Sequence, residues 1–182
     1  KALAVNPVVS MVEKIEASVK ELGRALPSHM NGDRMARIAI TVLKLNPKLA
    51  TCNPQSFLAA LFQCASVGLE PIMGQAYLIP YWNSKRKELI VQFQIGYQGL
   101  IELFSRHQNS MGIRAEAVYK HDLDSGNFRF NLGTGELNHT PDIFREDRGP
   151  VIGYYAFATM ANGGKEIKVM SKTEIFSHAR KF

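Results

Sequence analysis

Apolar residues recur at alternating spacings of four and three through the first third of the chain, and the period shortens to two afterwards. Val8, Val12, Ile15, Val19 and Leu22 form one stripe behind Asn6-Pro7, a helix N-cap followed by a first-turn proline. The pattern predicts an amphipathic helix that ends at Gly23. A second helix starts near Asn31 or Asp33 and runs to Leu45, with Met35, Ile38, Ala39 and Val42 on its apolar side. Asn53-Pro54 repeats the cap-and-proline signal, and Phe57, Leu58, Leu61, Phe62, Ala65 and Leu69 then make a wide buried face ending near Gly68. Cys64 lies among them and reads as core filler.

After Gly74 the segments Gln75–Trp82 and Glu88–Ile95 are rich in aromatic and β-branched residues and flank the polar run 83–87, which predicts a hairpin. Leu89, Val91, Phe93 and Ile95 face one way and Gln92 and Gln94 the other. A helix over Leu100, Ile101, Leu103 and Phe104 follows and ends near 109–112. Strands are expected at Ile113–Lys120, Asn127–Leu132, Val151–Met160 and Lys165–Met170, with turns such as Asn162-Gly163-Gly164 between them. Ser171-Lys172-Thr173-Glu174 has the capping-box form, and Ile175, Ala179 and Phe182 continue at helical spacing. The stretch from Gly133 to Pro150 shows no regular pattern. The whole predicts one α+β domain over 1–182: N-terminal helices, a mainly antiparallel β-sheet with an intervening helix, and a C-terminal helix.

Composition narrows the class. With 182 residues, 46% of them hydrophobic, the chain can bury an ordinary core. No apolar run approaches the roughly 20 residues that span a bilayer, and only Cys52 and Cys64 occur, so a soluble protein of a reducing, cytoplasmic compartment is expected. The start at Lys1 and the stop at Phe182 inside a helical pattern suggest a piece of something longer. Lysine and arginine outnumber acids 22 to 16. The excess is confined to residues 1–115, with 13 bases against 7 acids; residues 116–182 carry 9 of each. Between Arg34 and Lys87 seven bases meet a single acid, Glu70. Such a distribution suits a partner of dense negative charge, most often nucleic acid, or a solvated surface.

Candidate catalytic chemistry is sparse. The five histidines are scattered, no Cys-x-x-Cys or His-Glu-x-x-His occurs, and no metal or other cofactor is expected. Asp122 and Asp124 before Ser125-Gly126 lack the rest of a calcium loop, and a polar hairpin turn accounts for them. A two-metal nuclease could draw on Glu116, Asp122, Asp124, Asp142, Glu146 and Asp147, but neither a phosphate-cradling Walker loop nor a nucleophile elbow is present. No catalytic residue is assigned.

A binding constellation is better supported. Arg34, Arg37 and Lys44 recur at helical spacing with Thr41, and Lys48 follows in the next turn. Lys85, Arg86 and Lys87 can neutralise phosphates; Tyr77, Tyr81, Trp82 and Tyr97 offer stacking faces; Gln92, Gln94 and Gln98 can hydrogen-bond backbone or base edges. Gly96 and Gly99 near a helix start would let main-chain N–H groups approach a phosphate.

Three blocks then carry a resemblance. Gly68-Leu69-Glu70-Pro71, Gln75-Ala76-Tyr77-Leu78-Ile79-Pro80-Tyr81, and Val91 to Leu103 with its Ile-Gly-Tyr-x-Gly core resemble the RecT family of phage single-strand annealing proteins. The match extends from the 53–57 helix start to the strand end at 169–172. The resemblance implies an ATP-independent recombinase that coats single-stranded DNA as a homo-oligomer, ring or filament, and pairs it with a complementary strand. It also implies a phage exonuclease and a host single-strand-binding protein as partners, and a prophage origin in a bacterial host. Gln98 is a departure, since many members carry arginine there. The alternatives are a metal-dependent nuclease using carboxylates of 116–147, and a basic domain whose hairpin docks onto protein.

Overall fold

The Asn6 side chain accepts a hydrogen bond from the Val8 N–H at 3.0 Å and so starts helix α1, Pro7–Ala17, in the computed structural model, which describes residues 6–180. The expected single helix to Gly23 is interrupted. At Ser18 the hydroxyl donates back to the Lys14 carbonyl at 2.9 Å, and a second helix, α2, runs over Val19–Ala25. A serine that satisfies a carbonyl four residues back competes with the regular ladder. Gly23 therefore lies inside α2, and its role is packing. A Cβ on Gly32, at the start of helix α3 (Gly32–Leu45), would lie 2.7 Å from the Val19 carbonyl oxygen and 2.9 Å from the Gly23 nitrogen, so α2 and α3 meet almost backbone to backbone.

The chain divides into two compact units, Lys1–Phe104 and Ser105–Phe182. In the first, Asn31 caps α3 through the Asp33 N–H, and Asn53 caps helix α4 (Pro54–Ser66) through the Gln55 and Ser56 N–H groups. Helix α4 ends in a Schellman motif: Gly68, at φ +64°, donates to the Ala65 carbonyl, and Leu69 donates to that of Cys64. Met11, Ile15, Leu22, Met35, Leu43, Phe57 and Leu61 are fully buried in one core. Each such side chain contributes about 1.5–3 kcal/mol by leaving water.

That core closes under strands β1 (Ala76–Asn83) and β2 (Glu88–Ile95), an antiparallel hairpin with Ala76 opposite Ile95 and Asn83 opposite Glu88. The free edge of β2 is held by the start of α4. The Asn53 N–H donates to the Leu89 carbonyl at 2.8 Å, and the Val91 N–H to the Ser56 hydroxyl at 3.0 Å. Helix α5 (Tyr97–Ser105) stops earlier than its apolar pattern suggests, because strand β3 already begins at Ser110.

In the second unit β3 (Ser110–Tyr119) pairs with β6 (Val151–Met160), which pairs with β7 (Lys165–Ser171), all antiparallel. Strands β4 (Phe128–Asn131) and β5 (Glu136–His139) form a separate antiparallel pair, so the strands divide among three sheets. Two expectations are corrected here. The stretch 133–150 contains β5, and Asp122 lies in a short helix, α6 (Lys120–Asp124), rather than in a hairpin turn. The last helix, α7 (Lys172–Ala179), carries the expected capping box between Ser171 and Glu174; Phe182 lies outside the described residues.

Candidate nucleic-acid interface

Direct opposition in an antiparallel pair puts two residues on one face. Tyr77 faces Gln94, Ile79 faces Gln92, and Tyr81 faces Ile90, all on the side of the hairpin away from the core. Tyr77, Ile79, Tyr81, Gln92 and Gln94 are exposed. The opposite face supplies Leu78 and Val91 to the core, as the alternation predicts. Two rings and two amides thus share one surface that the protein itself leaves open to solvent.

At the base of this face lies Gly74. A Cβ there would sit 3.3 Å from Gln98 Cγ and 3.6 Å from the Tyr77 hydroxyl, so Tyr77 and Gln98 meet beside Gly74, with Gln94 opposite Tyr77 in the strand register. Tyr97 joins them: its hydroxyl accepts from the Gln98 amide at 2.8 Å, and its side chain is 67% exposed, which excludes a core role. The two glycines of this turn behave otherwise than expected. A Cβ on Gly96 would lie 2.0 Å from the Gly74 carbonyl oxygen, and one on Gly99 would lie 2.1 Å from that of Gln75. The Gly96 N–H already donates to Gln75 at 2.9 Å. The close approach these glycines permit is thus taken up by the protein's own 74–75 main chain, not left for a phosphate.

Lys85, Arg86 and Lys87 lie at the other end of the hairpin, about 20 Å away at the usual strand rise. Asn83 organises the turn by accepting from the Lys85 and Arg86 N–H groups, both at 3.1 Å, and Lys87 takes a left-handed φ of +52°. All three side chains are exposed; Arg86 makes only a long, 3.9 Å approach to Glu88. On α3, Arg34, Arg37 and Lys44 share an exposed face, but Arg34 is not a free cation. Its Nε and Nη2 donate to the two Glu70 carboxylate oxygens at 2.5 and 2.9 Å, which raises its pKa further. The pair is 36 residues apart in sequence, and no local pattern signals it.

The second unit holds a buried cluster that sequence reasoning missed. Asp122 is wholly buried. It accepts from Arg148 at 2.6 and 3.3 Å and from the Tyr119 N–H at 3.0 Å, and His139 Nε2 lies 3.4 Å away. Burial pushes the carboxyl up, but Arg148, the Tyr119 N–H and His139 outweigh it and hold Asp122 below the ordinary carboxylate range. The Asp122 carboxylate is spent on this structure. Among the described residues no group of three or more His, Cys, Asp or Glu is arranged to hold a metal ion. Cys64, buried and donating to the Leu69 carbonyl, has its thiol pushed up to about 12 by burial and by Glu70.

The chain is thus an α+β protein whose hairpin presents aromatic rings, amides and a basic turn to solvent. Residues 33–182 match the RecT family, and the chain belongs to that family. It is 37% identical to Protein RecT of Escherichia coli K12 over 176 residues, covering 93% of this chain and 62% of that protein. It is also 26% identical over 157 residues to the uncharacterized protein YqaK of Bacillus subtilis 168, covering 83% of this chain and 51% of the relative. The chain therefore spans between half and two thirds of the length of these relatives. Among the described residues no helix is long and apolar enough to cross a membrane.

Proposed function

We propose that the chain binds single-stranded DNA and anneals it to a complementary strand, without ATP and as a homo-oligomer on the DNA, with 1–182 working as one annealing domain. The observation that carries this reading is the exposed hairpin face: rings that every base can stack on, amides that tolerate any base edge, and a cationic turn for the backbone. Nothing in that set reads sequence. The driving force comes from base pairing, so the protein needs only to screen phosphate repulsion and keep bases exposed; no bond-making residue is called for. A phage exonuclease that makes the strand and a host single-strand-binding protein that covers it complete the proposed setting, the cytoplasm of a bacterium carrying the prophage.

The test mixes the chain with two complementary oligonucleotides, one labelled, with and without magnesium or manganese. Accelerated duplex formation with intact strands and no nucleotide requirement is expected. Shortened products would instead favour the metal-dependent nuclease, and absence of DNA binding even at low salt would favour a protein-docking domain.

The patch around Gly74 gives a sharper expectation. Gln94→Ala removes a donor and an acceptor from an exposed strand position and should slow annealing several-fold with the melting temperature unchanged. Tyr97→Phe keeps the ring and should be milder than Tyr97→Ala, which forfeits roughly 1–3 kcal/mol of base stacking. Normal annealing by Gln94→Ala, or tyrosine defects that merely track lost stability, would move the DNA off this patch.

A further inference from the structure

We propose that Glu70 is a positioning residue for strand annealing: it fixes the α3 cations relative to the Tyr97–Gln98 patch, and does so at the expense of raw affinity for DNA. The inference rests on the DNA-binding reading of that surface.

The geometry runs from Arg34 through Glu70 and Gln75 to Gly96. The Glu70 carboxylate grips Arg34 with both oxygens, while the Glu70 N–H donates to Gln75 Oε1 at 3.0 Å. The Gln75 carbonyl accepts from the Gly96 N–H at 2.9 Å, and the same oxygen fills the space that a Gly99 side chain would need. Gly96 and Gly99 bracket Tyr97 and Gln98 at the start of α5. Helix α3 and the turn carrying the ring and the amide are therefore tied by one continuous set of contacts, with Glu70 at its centre.

Charge makes the arrangement informative. Glu70 is the only acid between Arg34 and Lys87, and it cancels one cation of the Arg34, Arg37, Lys44 stripe. For a surface selected only to hold polyanion this is a loss. The fork also leaves Arg34 in use: the pair occupies Nε and Nη2, and the side chain is 65% exposed against 15% for Glu70, so the remaining guanidinium edge faces solvent. A planar guanidinium held by a mostly buried carboxylate has a fixed direction that a free arginine lacks. Pairing two strands needs phosphates at set positions relative to the bases, which affinity alone does not supply.

Glu70→Gln removes one negative charge, leaves Arg34 unneutralised and loosens the fork. Expected are single-strand binding as tight as wild type or tighter, a salt slope steeper by up to about 0.7, and an annealing rate at saturating protein lowered about fivefold or more. Arg34→Lys, which keeps the charge but cannot fork, should slow annealing likewise, and the double variant should be no worse than either single one. A merely structural role would lower melting temperature, binding and annealing together. A simple charge brake would raise both binding and annealing. Either result overturns the proposal. If wild-type protein neither binds nor anneals DNA, the reading of the surface fails instead, and that outcome is visible before any variant is made.

Discussion

Asp122→Asn should destabilise the second unit by about 3–5 kcal/mol, the usual cost of removing one partner from a buried ion pair. The asparagine can still accept from the Tyr119 N–H, which Asp122 meets at 3.0 Å, but it cannot balance Arg148. That guanidinium is itself mostly enclosed and stacks over the Tyr119 ring at 4.2 Å, so water cannot replace the lost carboxylate cheaply. His139 loses its anionic neighbour as well, while its Nδ1 stays 3.0 Å from the Tyr155 hydroxyl. Since Arg148 and His139 bracket the segment between β5 and β6, local opening should begin there. Hydrogen exchange in 119–155 together with melting at neutral pH measures the effect; a loss below about 1 kcal/mol would mean the cluster relaxes without its acid.

The same carboxylate gives the pH dependence its sign. Its folded pKa lies below the ordinary value of about 3.9, so the native state binds fewer protons than the unfolded chain across that window. The stabilisation is complete above the unfolded value and is lost as pH falls through the depressed folded one. Wild-type stability should therefore drop as pH falls below the unfolded value of about 3.9, whereas Asp122→Asn should show a flatter acid limb.

Local signals were the legible ones. The Asn-Pro starts at 6 and 53, the helix start near 31–33 and the Ser171–Glu174 box each write a backbone feature into a few neighbouring residues, the hairpin writes its own into the period-two alternation of two adjacent strands, and the structure has each where the pattern places it. Strand β6 has the expected bounds, Val151 to Met160. What sequence hid was decided across distance. Arg34 meets Glu70, Asp122 meets Arg148, and the space beside Gly96 and Gly99 is filled by residues 74–75; none of these follows from spacing along the chain. A glycine pair at a helix start has the same local signature whether a phosphate or the protein's own carbonyl comes close. The Ser18 interruption is a milder case, because a hydroxyl bonded four residues back is tolerated in many intact helices.

The basic turn is the part of the candidate interface with the largest expected effect on DNA. Replacing Lys85, Arg86 and Lys87 together by alanine removes three exposed cations from a loop whose shape is set elsewhere: Asn83 accepts the two N–H groups that close it, and neither bond involves a side chain of the three. The melting temperature should therefore hardly move, apart from a small gain or loss at Lys87, whose φ of +52° is no easier for alanine. If each side chain neutralises one phosphate, the slope of log affinity against log salt should fall by about 2, at about 0.7 per contact on a single strand. Extrapolated from molar salt to low ionic strength, such a slope amounts to on the order of a hundredfold in affinity. The loss should be the same for unrelated sequences, because phosphates carry no base identity. Titrations at several salt concentrations on two unrelated oligonucleotides decide it. An unchanged slope would take the hairpin tip off the DNA and leave the face around Tyr77 and Tyr97 to bind alone; a sequence-dependent loss would mean that the tip reads bases, which three flexible cations on a turn are poorly built to do.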